Sequence, residues 1–411
     1  MAVEYSPKMF FRLLSGSGPL LKEYFSTQGQ AERLTFDPAH PDIDRLYEQW
    51  EALPAEVRDQ MDADQRAVFE MGDSDSALST VLQEAAHPVH DKAEELQRVF
   101  ANLESPYGRM LHTLIHHRRI FDNAALFEQT DRLSSRYWRK LPHLPQRQPL
   151  TTVEAVKSLE AALRDYYVAR EGRGRHCHVD VYTRGDGIYY YGFLEDYPKL
   201  GGTFDDQGQY QPKISKDNFE VIFRFNPLAG DLEVYVKGKA RIAALLQEIF
   251  VRVCLETELP ADNGPTKTYE LNPLMRRNFA FPTEPGDGIR GVRIKSLRLS
   301  VTGSQKRVIL EEGDGDNPSG IYDLLADVVA DQAAGKPGLH RALLNVTMAE
   351  LKVIFQRDTG RTKTVTVRIS YPNSCNLRET KEDAMVRKYL KIWGLELHGA
   401  AQDTPQSALA G

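Results

Sequence analysis

The chain has 411 residues, with 52 lysines and arginines against 58 aspartates and glutamates, a formal net charge of −6. Hydrophobic residues make up 41% and charged residues 27%, so the chain can bury a core and is not broadly disordered. This composition excludes collagen, coiled-coil rods and disulfide-rich scaffolds, and the length predicts two or three domains.

Residues 1–150 are predicted to form an acidic, all-helical domain. Apolar residues recur at helical spacing in the segments 54–71 and 108–128, and Leu46 and Trp50 lie four positions apart. Residues 1–104 carry a formal net charge of −11, whereas the rest of the chain carries a net charge of +5. Three prolines in the stretch 141–150 are incompatible with a helix interior and end this domain.

A first α+β unit is predicted over 151–258. Thr151 and Glu154 have capping-box spacing, which predicts a helix from there to about residues 171–175. After this helix, apolar residues recur at every second position, the spacing of β-strands, which predicts two hairpins separated by a polar insert at 200–216. The four strands of these hairpins are predicted at 176–184, 187–195, 219–226 and 231–237. An apolar stripe from Ile242 to Cys254 predicts the closing helix.

Residues 259–290 are rich in Pro, Gly and Asn and are predicted to be a linker to a second α+β unit at 291–398. In that unit Asn317 and Pro318 are predicted to begin one helix, and Val386 to Trp393 lie on another. Its strands are predicted at 293–301, 305–311, 345–356 and 362–370. Antiparallel hairpin-plus-helix units of this kind predict an α+β fold, and residues 399–411 are predicted to be a disordered tail.

Three widely spaced cysteines, Cys177, Cys254 and Cys375, favour a reducing environment over a disulfide framework. The first residues lack the basic and apolar regions of a secretory signal, and no apolar run approaches the roughly 20 residues of a membrane span. We therefore expect a cytoplasmic protein with no membrane partner.

Metal-ligand residue types recur at alternate positions in His176, His178 and Asp180. Alternate residues of a strand share a face, and two imidazoles with a carboxylate can hold zinc or another divalent ion. The run resembles part of the HxHxDH motif of metallo-β-lactamase-like hydrolases, but Val181 stands where that motif has a further histidine. A polar outer strand face that binds no metal accounts for the same residues.

Glu350 and Lys352 have the ExK spacing of PD-(D/E)xK nucleases, in which acids and a lysine hold a divalent ion and orient water. The upstream acid would be Asp327 or Asp331, both predicted on a helix instead of at a strand end. Glutamate and lysine alternating on an exposed strand face are the alternative.

The most basic stretch is 105–148, with eight basic and three acidic side chains, and cations alternate with aromatic rings at its centre. Cations can neutralise phosphates and rings can stack on bases, so this stretch and the following 170–175 predict a surface for nucleic acid or an acidic protein. The residues assigned to it are Arg132, Arg136, Tyr137, Trp138, Arg139, Lys140, Arg147, Arg173 and Arg175.

Further cations, Arg293, Lys295 and Arg298, lie on the second α+β unit. The alternative is that the basic stretch is a solvated helix face that pairs with the acidic N-terminal helices. Net charges of −11 and +5 on two parts of one chain favour such internal pairing.

Longer stretches resemble a group of bacterial cytosolic proteins without an assigned role, namely RYWRKLPHLP, EGRGRHCHVDV, YELNPL and ISYPNSCNLR. The resemblance covers most of the chain and implies a genomic context of mobile elements or phage-defence genes. It implies no catalytic residues.

The sequence therefore favours a non-enzymatic binding or adaptor protein that needs no cofactor and contacts nucleic acid or an acidic protein. One alternative is a nuclease or hydrolase with a divalent metal at His176, His178 and Asp180. The other alternative is a structural subunit of a larger assembly.

Overall fold

A computed structural model of the chain describes residues 4–205, 207–238, 240–259, 267–313, 320–329, 338–356, 362–378 and 380–397. The chain divides into two compact units, Met1–Leu133 and Ser134–Gly411. Helices and antiparallel sheets make up these units, so the predicted α+β class is confirmed. The helical region ends earlier than predicted, because Trp138–Leu141 form a strand of the second unit.

The first unit consists of helices around one apolar core. Ser6 and Ser105 each accept a hydrogen bond from a backbone amide of the helix they precede, and a proline follows each of them, which is a favourable helix start. The helices are α1 (Pro7–Leu13), α2 (Gly18–Thr27), α3 (Ile43–Glu51), α4 (Ala55–Gly72), α5 (Ala77–Ala85), α6 (Ala93–Ala101), α7 (Pro106–His116) and α8 (Arg118–Arg132).

The predicted helical segments of the first unit are present with one correction. Leu46 and Trp50 lie buried on α3, as their spacing indicated. The segment 108–128, however, belongs to two helices, because His117 between them leaves the helical region with φ −138° and ψ 52°.

The first sheet of the second unit has the strand order β1-β7-β6-β3-β2. Its members are β1 (Trp138–Leu141), β2 (Cys177–Arg184), β3 (Gly187–Glu195), β6 (Asn218–Asn226) and β7 (Asp231–Val236). Helices α9 (Val153–Glu171) and α10 (Ala240–Cys254) share a core with one face of this sheet, in which Leu163, Tyr190 and Phe250 are buried. Both predicted hairpins and both helices are therefore present.

The start of α9 differs from the prediction by one residue. Thr152, and not Thr151, is the N-cap, and its hydroxyl accepts a hydrogen bond from the amide of Ala155 at 3.3 Å. The helix ends at Glu171 and is capped by Gly172, whose φ of 70° is readily adopted by glycine.

The insert predicted at 200–216 forms a hairpin of its own. Strand β4 (Lys199–Phe204) pairs antiparallel with β5 (Tyr210–Ser215), and together they make a two-stranded sheet. Along the chain this hairpin lies between β3 and β6 of the first sheet.

The second sheet has the order β12-β11-β10-β8-β9. Its strands are β8 (Ile289–Val301), β9 (Arg307–Glu311), β10 (Leu344–Gln356), β11 (Thr362–Ser370) and β12 (Ser374–Cys375). Helices α11 (Gly320–Val328) and α12 (Lys381–Ile392) share its core through residues such as Ile321, Val386 and Leu390. The predicted strands are present.

The described part of the predicted linker, residues 267–290, is packed and not free. Tyr269, Leu271 and Leu274 are buried in the core of the second sheet, and Trp393 donates its indole hydrogen to the carbonyl of Pro282 at 3.0 Å. Pro273 and Pro285 lie in short 3₁₀ turns of this packed segment. The predicted cap at Asn317 and Pro318, Asp331 and the tail 399–411 lie outside the described residues.

Within the described residues, no helix combines the length and the apolar character that crossing a membrane requires.

Candidate nucleic-acid interface

The two basic segments predicted as one surface lie at opposite edges of the first sheet. Arg136, Arg139 and Lys140 belong to or adjoin β1, whereas Arg173 and Arg175 directly precede β2. The order β1-β7-β6-β3-β2 puts four strand spacings, roughly 19 Å, between these edges. Arg132 ends α8 in the first unit. The sequence could not indicate this separation, because it depends on the strand order.

Lys140 is an interior residue and not a surface cation, which corrects the prediction. Its Nζ lies 2.8 Å from a carboxylate oxygen of Asp231 and 2.7 Å from one of Glu396, and all three side chains are buried or nearly so. Burial lowers the pKa of Lys140, but Glu396 and Asp231 outweigh it and hold the pKa above its ordinary value. A phosphate cannot reach this ammonium without breaking the buried triad.

Glu233 extends this buried charge network beside Lys140 on the sheet. Arg224 approaches its carboxylate at 3.1 Å and Arg387 at 3.2 Å. Burial alone would raise the pKa of Glu233, but Arg387, Arg224 and Lys140 together lower it to about 2. The network therefore joins β1, β6 and β7 to α12.

Arg173 is likewise engaged within the fold. Its guanidinium bridges Glu171 and Asp196 at 2.7 and 2.8 Å and lies 3.9 Å from the centroid of the Phe219 ring. Cation–π contact and two ion pairs hold the end of α9 against the sheet. Its neighbour Arg175 is exposed.

The remaining residues of the predicted surface near β1 are partly accessible. Arg136 is exposed and stacks its guanidinium 4.4 Å from the Tyr137 ring, while Trp138 packs on Tyr235. Arg139 is half-buried, which lowers its pKa, and it donates to two backbone carbonyls. Arg147 is exposed and donates to the hydroxyl of Thr257 at 2.8 Å.

In the first unit, part of the basic stretch pairs internally. Arg118 lies 3.0 Å from Asp64 on α4, as expected if the acidic helices neutralise it, and 2.9 Å from Asp122 on its own helix. Arg132 is exposed and donates to the carbonyl of Glu70 at 3.1 Å.

The metal-ligand candidates do not converge on one point. His178 and Asp180 do share a face of β2, with Nε2 and Oδ1 3.1 Å apart, but His176 lies 3.9 Å from Glu195 instead. In the described ranges, no group of three or more His, Cys, Asp and Glu side chains is arranged to hold a metal ion. A metal centre at these residues stays a prediction.

The outer face of the second sheet, opposite the core shared with α11 and α12, is rich in cations. Cross-strand pairing places alternate residues of β8, β9, β10 and β11 on this face. None of the outward-facing residues described on these four strands is aromatic. We call it the basic sheet face; its cations are Arg293, Lys295, Arg298, Arg307, Lys352 and Arg368, and its carboxylates are Glu311 and Glu350.

Two of the arginines on the basic sheet face have no carboxylate partner among the described residues. Arg298 donates through Nε to the hydroxyl of Thr347 at 3.2 Å, and Arg307 is exposed. Burial lowers the pKa of Arg298, and the nearby positive charges of Arg307 and Arg368 lower it further. Arg298 therefore lies within electrostatic reach of both Arg307 and Arg368.

The buried Glu350, by contrast, is neutralised locally. Arg368 donates to it through Nε and Nη2 at 3.0 and 2.7 Å, and the Nζ of Lys295 lies 3.6 Å away. Glu350 is the glutamate of the ExK pattern in the sequence. Its carboxylate therefore holds Arg368 and Lys295 of the basic sheet face in place.

No family model matches the chain, and no curated protein is significantly similar to it.

Proposed function

We propose that this protein is a non-enzymatic adaptor that binds nucleic acid through the basic sheet face. The observation that carries the proposal is the group of Arg298, Arg307 and Arg368, which come from three strands and lie on one face of the second sheet. Arg298 and Arg307 have no carboxylate partner among the described residues, so a polyanion that binds over them gains attraction that no described carboxylate already supplies.

The shape of the face favours an extended ligand over a small anion. The arginines stand on a sheet surface and not in a pocket, and from β11 to β9 they span three strand spacings, roughly 14 Å. Hydroxyl side chains of Ser300, Thr366 and Ser370 stand on the same face and can donate to phosphate oxygens.

The kind of readout also follows from the residues. With no ring among the described outward-facing residues of β8 to β11, this face offers phosphate contacts and no stacking platform for bases. We therefore expect binding that tolerates sequence and depends steeply on salt, since each neutralised phosphate releases counterions.

The test is fluorescence anisotropy of labelled single-stranded DNA, duplex DNA and RNA with the full chain, between about 50 and 200 mM salt. Arg298→Glu with Arg307→Glu should weaken binding by at least tenfold and lower the salt slope by about 2. The matched control reverses two exposed cations away from this face, Arg252 on α10 and Lys391 on α12.

Three results would overturn the proposal. One is absence of binding at the lowest salt, and another is equal loss in the test and control pairs. The third is a large loss for Arg136→Glu with Arg147→Glu and none for the Arg298 and Arg307 pair, which would move the interface to the β1 edge of the first sheet.

A further inference from the structure

The hairpin β4–β5 is an arm with one apolar face that no described part of the chain covers. Its strands pair only with each other among the described strands, and nearly all of their residues are exposed. An isolated two-stranded hairpin is at best marginally stable in water, so an arm of this kind gains from packing on something else.

The register sorts the arm into two chemically different faces. Leu200 pairs with Ile214, and Phe204 pairs with Tyr210, all on one face. The exposed fractions of these side chains are 78% for Leu200, 70% for Ile214, 71% for Phe204 and 64% for Tyr210. The opposite face is polar, with pairs such as Lys199 with Ser215 and Thr203 with Gln211.

The apolar face is a built surface and not a chance exposure. Gly202 lies between the two apolar pairs, and the ring of Tyr210 occupies the space where a side chain at Gly202 would stand. Phe204 and Tyr210 also meet edge to face, with centroids 5.7 Å apart. Contiguous apolar side chains of this size on a surface mark an interaction site.

We propose that the apolar face of the arm packs on the same face of a second copy of the chain, forming a two-fold symmetric dimer. The face carries no charged side chain, so its best complement is a surface that is equally apolar, and a two-fold arrangement supplies that surface. A polyanion or a charged peptide finds no partner on it.

The area available fits a reversible dimer. Four side chains that each offer roughly 100–150 Å² give about 500 Å² per copy, and about 1,000 Å² in the pair. This lies just below the roughly 1,200–2,000 Å² of standard interfaces, in the range of weak, transient associations, so we expect a dimer that dissociates on dilution. The inference does not depend on the proposed function, because the basic sheet face takes no part in it.

The test is sedimentation velocity of the full chain from about 1 to 100 μM. We expect a monomer–dimer equilibrium that Leu200→Ser with Ile214→Ser weakens by at least about tenfold. The control, Thr203→Ala with Gln211→Ala, changes the polar face of the same arm and should leave the equilibrium unchanged. An unaltered thermal midpoint of the second unit would show that both variants are folded.

Two outcomes would overturn the inference. The wild-type chain could remain monomeric throughout the concentration range, in which case the arm serves a partner of another kind. Alternatively, a dimer could persist unchanged when the segment 199–215 is replaced by a short glycine-serine turn, which would place the dimer contact elsewhere.

Discussion

Replacing Lys140 with methionine tests whether this residue is a buried structural cation or a surface ligand. The change keeps the length of the side chain and removes the ammonium group that Asp231 and Glu396 contact at 2.8 and 2.7 Å. Two buried carboxylates then lose a counter-ion, and breaking a buried pair in this way costs about 3–5 kcal/mol. In a unit of this size, each kcal/mol of lost stability lowers the thermal unfolding midpoint by roughly 2 °C, so Lys140→Met should lower that midpoint by about 6–10 °C.

Differential scanning calorimetry of the full chain measures this change, with the transition of the second unit followed separately because a chain of two compact units need not unfold in a single transition. Arg147→Met is the matched control, since Arg147 is exposed and its loss should stay within about 0.5 kcal/mol. Adding Asp231→Asn and Glu396→Gln to Lys140→Met should recover most of the lost stability. A Lys140→Met protein as stable as wild type would refute the buried triad.

Three further changes test other parts of the second unit. Glu233 has a pKa of about 2 against an ordinary 4.5, so the stability that its ionised form contributes is complete above pH 4.5 and is lost as the pH falls towards 2. The free energy of unfolding of the wild-type protein should therefore fall by about 3 kcal/mol more than that of Glu233→Gln over this pH range. Identical acid unfolding curves for the two proteins would contradict this. Gly230→Ala should lower the free energy of unfolding in urea by over about 1 kcal/mol, because its φ is 64° and an added Cβ would overlap the carbonyl of Leu144. Gly172→Ala should cost less, because its φ is 70° but the space around it is open. Equal costs would argue against the overlap at Gly230. Thr152→Ala should lower stability by about 1 kcal/mol and Thr151→Ala should not, and the reverse order would reinstate the predicted cap.

Local patterns in the sequence were sufficient for most of the secondary structure. Leu297 and Leu299 alternate with Arg298 and Ser300, and the structure places the two sets on opposite faces of β8. The apolar stripe of α10 was equally clear, because helical periodicity is a property of neighbouring residues. Such signals need no knowledge of the rest of the fold.

Pairing between distant residues could not be predicted. Lys140 and its partner Glu396 are 256 positions apart, and nothing local to either residue indicates the contact. A buried lysine and a surface lysine therefore look the same in a basic stretch. Two glycines and a proline interrupt the β4–β5 arm, so its sequence does not predict strands, although Leu200 and Phe204 lie on one face.

The basic sheet face was visible in the sequence only in part. Arg293, Lys295 and Arg298 lie close together in the sequence of the second α+β unit, but Arg307 and Arg368 join them only through strand pairing. The order of the strands determines which charges meet, and that order depends on long-range contacts.

Binding of nucleic acid by the basic sheet face is best tested through the salt dependence of duplex DNA binding by the wild-type chain and by the Arg298→Glu, Arg307→Glu protein. If the basic sheet face binds nucleic acid, the wild-type affinity falls steeply from about 50 to 200 mM salt, and the variant binds at least tenfold more weakly with a slope lower by about 2. Equal affinity and equal slope for the two proteins would contradict it.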